Sequence, residues 1–450
     1  MKSATLTENP YADLALTPEF FASRRQELMR RLGKGGVAVI RSAPEHIRSN
    51  DTHYRYRQDS DFYYLTGFHE PDAVCLLIPD HPEHQYVLFV RPRNPERETW
   101  DGRRVGPEAA KERFGADATY SIEQLDEQLR KYLEKTEIIH FRFGRDEDFD
   151  KRIFNLLKYY RYWRQRNGVG PHAIVDLSET LHEMRLYKSS QEIDLMRHAA
   201  AIAASAHKEA MAAVHPAMSE YEVEAIIENR FRREGASGPA YNSIVGGGIN
   251  ATILHYVENS SKLEDGDLLL VDAGAEYQFY CSDITRTYPI NGKFTPAQAT
   301  IYEIVLEAQI AAINLVSPGT QFDEIHQKAV EVLVDGLLKV GLLTESREKV
   351  LEEHLYRKFY MHRTSHWLGL DVHDTGKYVV DGESRKLEPG MVLTIEPGLY
   401  IGESEEIPQA SRRIGIRIED DILVTETGFE VLTSEVPKKI EELEAIVGKG

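Results

Sequence analysis

Acidic residues set into apolar, β-rich runs constrain this chain more than any other feature. Asp272 stands in "LLLVDAG", Asp283 in "FYCSDITRTYPI", Glu396 closes "MVLTIE" and Glu419 interrupts "IGIRIEDDILV". A carboxylate buried in such a run without a partner is strongly unfavourable. The stretch 267–290 reads as a hairpin with its tip at Tyr277–Gln278, which makes Asp272 and Asp283 directly opposed. Opposed residues have Cβ atoms about 4.5–5.5 Å apart, and like charges there destabilise the pair. A cation between the two removes both penalties. For an isolated pair, a turn acid and a helix cap would serve as well. Four such residues, with a histidine-rich segment among them, make that reading weak.

The segment is "MHRTSHWLGLDVHD" (361–374), with His362, His366 and His373. Only His362 and His366 have the i, i+4 spacing of two ligands on one helical face, and Arg363, Thr364 and Ser365 between them do not make H-E-x-x-H. Four carboxylates and an imidazole are too many ligands for one tetrahedral zinc. They suit two divalent cations about 3.5–4 Å apart. Oxygen-rich ligation favours Mn²⁺ or Co²⁺ without excluding Zn²⁺. Such a site needs one histidine, and the residues alone leave open which.

A chain of 450 residues is long for a single core, so two domains are expected. Residues 1–182 alternate helix and strand signals, as in "TPEFFASRRQELMRRLGKGG", "VAVI", "AVCLLI", "QYVLFV" and "SIEQLDEQLRKYLEK", and predict a small α/β domain. From 183 to 450 the texture changes. Helices are expected at 189–214 and 219–235, with strands at 253–257, 267–272 and 279–288. Helices at 296–316 and 322–340 follow, then strands near 390–400 and 413–433, an order that hints at two similar halves. The class is α/β with an α+β character.

A net charge of −19 without a basic tail argues against nucleic-acid or anionic-membrane partners. No signal peptide or membrane-length apolar run is evident, and the two cysteines, Cys75 and Cys281, fit a reducing cytoplasm. "VGGGIN" (245–250) lacks the phosphate-loop pattern, and His198, His207 and His326 read as solvated or packed. The Tyr/Phe-rich stretch 54–68 reads as core or as a subunit surface.

In order, Asp272, Asp283, His366, Glu396 and Glu419 resemble the five-ligand dinuclear site of the "pita-bread" metallopeptidases, the group of methionine aminopeptidase, prolidase and aminopeptidase P. "LHY", "VDAGAEYQFYCSDITRTYP", "SHWLGLDVHD", "TIEPGLY" and "GIRIEDD" carry the resemblance over most of 240–425. "RSNDTHYRYRQDSDFYYLTGFHEPDAV" (48–74) and "ETWDGRRVG" (98–106) are similar to the bacterial aminopeptidase P branch. The resemblance implies a pita-bread catalytic domain with pseudo-twofold halves, two metal ions with Mn²⁺ first, and a homodimer or homotetramer. It makes His366 the one metal-binding histidine, Glu396 a ligand that doubles as general base, and His255, His362 and His373 handlers of the substrate. Arg417 and Tyr400 match residues near the site, and Trp100 is left as an interface or core residue. The implied reaction releases the N-terminal residue from Xaa-Pro-peptides through a metal-bridging hydroxide. The rivals are a dipeptide-only prolidase, with Arg417 gripping the proline carboxylate, and a non-catalytic binding module of the same fold.

Overall fold

A computed structural model describes Leu14 and residues 16–450, and the described chain divides into two compact units between Met184 and Arg185. In the first, Thr17 caps the helix Pro18–Leu32 by accepting from the Phe20 amide, and the helix ends at Gly33, whose φ of 74° suits a glycine. The six-stranded sheet runs Ala118–Ser121, Tyr86–Val90, Val74–Leu77, Gly36–Arg41, Ile138–Phe141, Ala173–Val175. Its Val74–Leu77 and Tyr86–Val90 strands are buried along their whole length, which is why they read as unbroken apolar runs. In the helix Leu125–Leu133, Leu125, Leu129, Tyr132 and Leu133 are buried.

The Tyr/Phe-rich stretch divides: Phe62, Tyr63, Tyr64 and Phe68 are buried core, whereas Tyr54 is 60% exposed and Tyr56 half-buried. Trp100 is 86% exposed on the helix Pro95–Asp101, none of whose residues is buried, so the core reading of this side chain is corrected.

In the second unit, helices Ser190–Ala213 and Glu220–Arg233 precede an antiparallel sheet of Ile244–Gly247, Leu268–Asp272 and Thr285–Pro289. Helices Pro296–Ile313 and Phe322–Lys339 then precede a second antiparallel set, Val392–Ile395, Asp420–Val424 and Phe429–Val431, so the helix-helix-sheet order occurs twice. Strands Gly398–Ile401 and Ile414–Arg417 pair with each other. The expected strand at 253–257 is absent. Its β-branched run is an irregular loop with Ile253, His255 and Val257 exposed. His198 and His207 are packed, each less than a tenth exposed.

Candidate metal centre

The hairpin carrying the first two aspartates turns at Gln278–Phe279, one residue beyond the expected tip, with φ of 46° and 72° at the two positions. Asp272 therefore faces Thr285 and not Asp283, which corrects the expected direct opposition. The two aspartates still converge. At Gly274 an added Cβ would lie 1.8 Å from the Ser282 carbonyl oxygen, so the arms approach here more closely than any side chain permits. Tyr241 Oη lies 2.5 Å from Asp272 Oδ1 and 2.5 Å from Asp283 Oδ1. One phenolic proton cannot satisfy two carboxylates, so this contact calls for further positive charge.

The carboxylates stand at strand ends or breaks rather than inside strands. Asp272 ends Leu268–Asp272 and Asp283 precedes Thr285–Pro289. Glu396 lies between Val392–Ile395 and Gly398–Ile401, and Glu419 between Ile414–Arg417 and Asp420–Val424. Leaving the ladder frees each side chain to turn inward while the amide finds another acceptor: Glu396 N donates to Thr364 O (2.8 Å), Glu419 N to Thr285 O (3.1 Å) and Asp283 N to Asp421 Oδ2 (3.1 Å).

Residues 361–374 contain no helix, and Trp367 bridges to Leu393. The segment is tied down by Asp374, which accepts from Arg185 Nη2 (2.5 Å) and Lys188 Nζ (3.0 Å). His366 Nδ1 sits 3.0 Å from the Trp367 carbonyl and so carries the ring proton. Nε2 then faces Asp283 Oδ2 at 3.5 Å and Glu396 Oε1 at 3.6 Å. Donor atoms of Asp283, His366 and Glu419 all lie within 4.8 Å of one another. All five expected ligands line one cavity of about 800 Å³.

Burial, reinforced by Asp272, pushes the Asp283 carboxyl up, and burial carries Glu396 to about 7. Glu419 is raised by burial and then by Asp283 and Glu396. Burial opposes a charge on His366 as well, yet the Asp283 and Glu396 carboxylates carry it up to about 9. A cluster that competes this hard for protons lacks positive charge, and its oxygen-rich donor set fits divalent cations.

Arg417 donates through Nη2 to Asp272 Oδ2 (2.6 Å), through Nη1 to Tyr400 Oη (2.9 Å) and through Nε to Thr285 Oγ1 (3.1 Å). Tyr400 lies behind the cavity wall, and its hydroxyl is left to donate to His362 Nε2 at 2.8 Å. His362 Nδ1 is 2.7 Å from the Arg363 carbonyl and 3.8 Å from Glu396 Oε2. Burial, then Arg417, lowers His362 to about 3. His373 packs edge-on against His366 with ring centroids 4.4 Å apart, and His255 stands exposed on the cavity rim. Ile244, Leu254, Val257, Phe322 and Val372 supply apolar wall.

Sequence reasoning missed three residues. Tyr241 and Thr285, the latter donating to Glu419 Oε2 at 2.6 Å, are neutral and break no pattern. Asp421 had a signal, as the third acid of "IEDD".

Known proteins bear closely on this geometry. Metallopeptidase family M24 matches residues 194–426, and the aminopeptidase P N-terminal domain matches 21–140. The chain is 47% identical over 428 residues to the Xaa-Pro aminopeptidase of Escherichia coli (strain K12), covering 95% of this chain and 97% of that one. Aminopeptidase PepP of Pseudomonas aeruginosa superposes with a TM-score of 0.94 at 46% identity, over 96% of this chain and 98% of that chain. Aminopeptidase P from E. coli with the inhibitor Pro-Leu superposes with a TM-score of 0.92 at 46% identity, again over 96% and 98%.

Proposed function

The chain belongs to metallopeptidase family M24, and on that footing we propose that it is an Xaa-Pro aminopeptidase, releasing the N-terminal residue from peptides with proline in second position. The observation that carries this reading over a dipeptide-only prolidase is the state of Arg417. All three nitrogens of its guanidinium are already engaged, by Asp272, Tyr400 and Thr285, so it is held within the site and not spare for a proline carboxylate.

Asp272, Asp283, His366, Glu396 and Glu419 would hold two divalent cations, Mn²⁺ first, with Co²⁺ and Zn²⁺ as alternatives. When bound, such ions acidify water and polarise the scissile carbonyl. Glu396 takes the proton of the attacking water. His373 stands on the open side of His366, where it can hydrogen-bond the oxyanion. His362, with Nδ1 3.8 Å from Glu396 Oε2 and Nε2 backed by Tyr400, relays the proton that Glu396 has taken from water to the departing proline nitrogen and ends neutral, as it began. That nitrogen carries no hydrogen in the peptide, so it cannot be recognised by an N–H contact. The ring must be recognised by shape, and His255, His373 and Arg417 border the space for it, with Tyr400 behind them holding Arg417 and His362.

Hydrolysis of Xaa-Pro-Yaa against Xaa-Pro decides between the two peptidase readings. The tripeptide is expected to be cleaved well, and tripeptide turnover near zero would overturn the proposal. Dialysis against a chelator is expected to abolish activity, with Mn²⁺ restoring it. Full activity in protein shown to be metal-free by elemental analysis would sink the metal-dependent mechanism. Cys75 and Cys281 are both buried and form no disulfide, which accords with a reducing cytoplasm. Exposed Trp100 is the kind of side chain that a homodimer or homotetramer would cover, which sedimentation can test.

A further inference from the structure

We propose that Glu220 is a positioning residue for the substrate-facing loop 247–261, an inference that rests on the cavity being the peptide site. Glu220 opens the helix Glu220–Arg233, and its side chain is fully buried. Oε1 accepts from Gly247 N (2.9 Å) and Asn250 Nδ2 (2.9 Å). Oε2 accepts from Tyr256 Oη (2.8 Å) and Ser261 N (2.8 Å). Among the described residues no lysine, arginine or histidine forms an ion pair with it. Its compensation comes from these four donors and from its place at a helix N-terminus.

The four donors come from the two ends and the middle of a single loop. Gly247 leads in, Ser261 leads out, and Asn250 and Tyr256 lie between. The carboxylate is therefore a clasp that closes the loop on itself. After the short 3₁₀ helix Gly248–Thr252 the backbone up to Ser261 has no regular structure, yet it presents Leu254, His255 and Val257 to the cavity. Packing cannot hold His255 and Val257, because both are exposed. Their placement depends on the anchors beneath them.

Only a carboxylate fits this role. An ionised Glu offers acceptor sites on two oxygens, whereas Gln offers one oxygen and turns an NH₂ toward two of the donors. An N–H such as that of Ser261 would then lose its partner.

The experiment uses the full-length, metal-loaded enzyme. E220Q is expected to lower kcat/KM for an Xaa-Pro-Yaa substrate about tenfold, chiefly through KM, with bound metal unchanged by elemental analysis. Amide hydrogen exchange within 247–261 is expected to rise about tenfold, while the Leu268–Pro289 hairpin keeps its protection. In the H255A background E220Q should cost much less than in wild type, because both act through one loop. E220D, which keeps both oxygens, should recover part of the loss. Should E220Q fail to fold, Y256F removes one of the four bonds and is expected to shift KM in the same direction by a smaller factor. Unchanged exchange in 247–261, or a lower melting temperature with wild-type kinetics, would make Glu220 merely structural and overturn the proposal. An H255A variant with wild-type kinetics, beside raised exchange in E220Q, would count against the assignment of His255 and leave the clasp standing.

Discussion

Asp283→Ala is expected to lower kcat/KM by about 10³-fold or more and to lower bound metal, because it removes a charge that meets both His366 and Tyr241. Glu419→Ala should do the same, having lost the carboxylate that Thr285 orients. Metal content measured beside kinetics separates a lost ligand from a disturbed fold. A second expectation follows from the same electrostatics. In the metal-free protein the cluster is self-repulsive and pressed to take up protons, so Asp283→Asn should raise the melting temperature of the apo form while destroying catalysis. Function is here purchased with stability, as happens at strained sites elsewhere. Retention of both metal and turnover in Asp283→Ala would remove this residue from the centre.

Arg286→Met is expected to destabilise the protein by about 3–5 kcal/mol, the usual consequence of stripping one partner from a buried ion pair. Arg286 and Asp420 are both inaccessible to solvent, with Nη2 to Oδ1 at 2.7 Å. The same guanidinium donates to the carbonyls of Thr285 (2.9 Å), Val436 (3.0 Å) and Pro437 (3.1 Å), and to that of Glu419 (2.5 Å). Methionine fills much of the volume but takes a donor from each of those carbonyls. Lys438 and Gln309 still reach Asp420, at 2.7 and 2.8 Å, which keeps the loss short of complete unfolding. Because Arg286 also fixes the backbone of Glu419, activity should fall together with stability. A denaturation midpoint within experimental error of wild type would show that the network is dispensable.

What could be seen in the sequence, and what could not, divides along physical lines. Buried charge was visible because an acid in an apolar run is costly wherever it occurs, and Asp272, Asp283, Glu396 and Glu419 stood out on that ground alone. Register was not. The Gln278–Phe279 turn has positive φ at both positions without the glycine, asparagine or aspartate that normally marks such a turn, so nothing told the reader where the hairpin folds back. The run around His255 looked like a strand because it is β-branched and apolar, but four bonds to Glu220 outweigh that propensity. Glu220 gives no signal of its own, because an acid in the first turn of a helix is ordinary. Tyr241 carried no signal, being neutral, half-buried and outside any periodic run. The histidines were narrowed to His366 by family resemblance, and the tautomer that aims Nε2 at the carboxylates became legible only from the Trp367 carbonyl.

The missing methyl group at position 274 reaches beyond the hairpin. Since a β-carbon there would collide with the Ser282 carbonyl, the hairpin arms that carry the first two aspartates are held together by a position that takes no side chain. On the proposed assignment, adjustment to an ion of different radius would fall to Glu396 and Glu419, whose side chains each have one more rotatable bond than an aspartate.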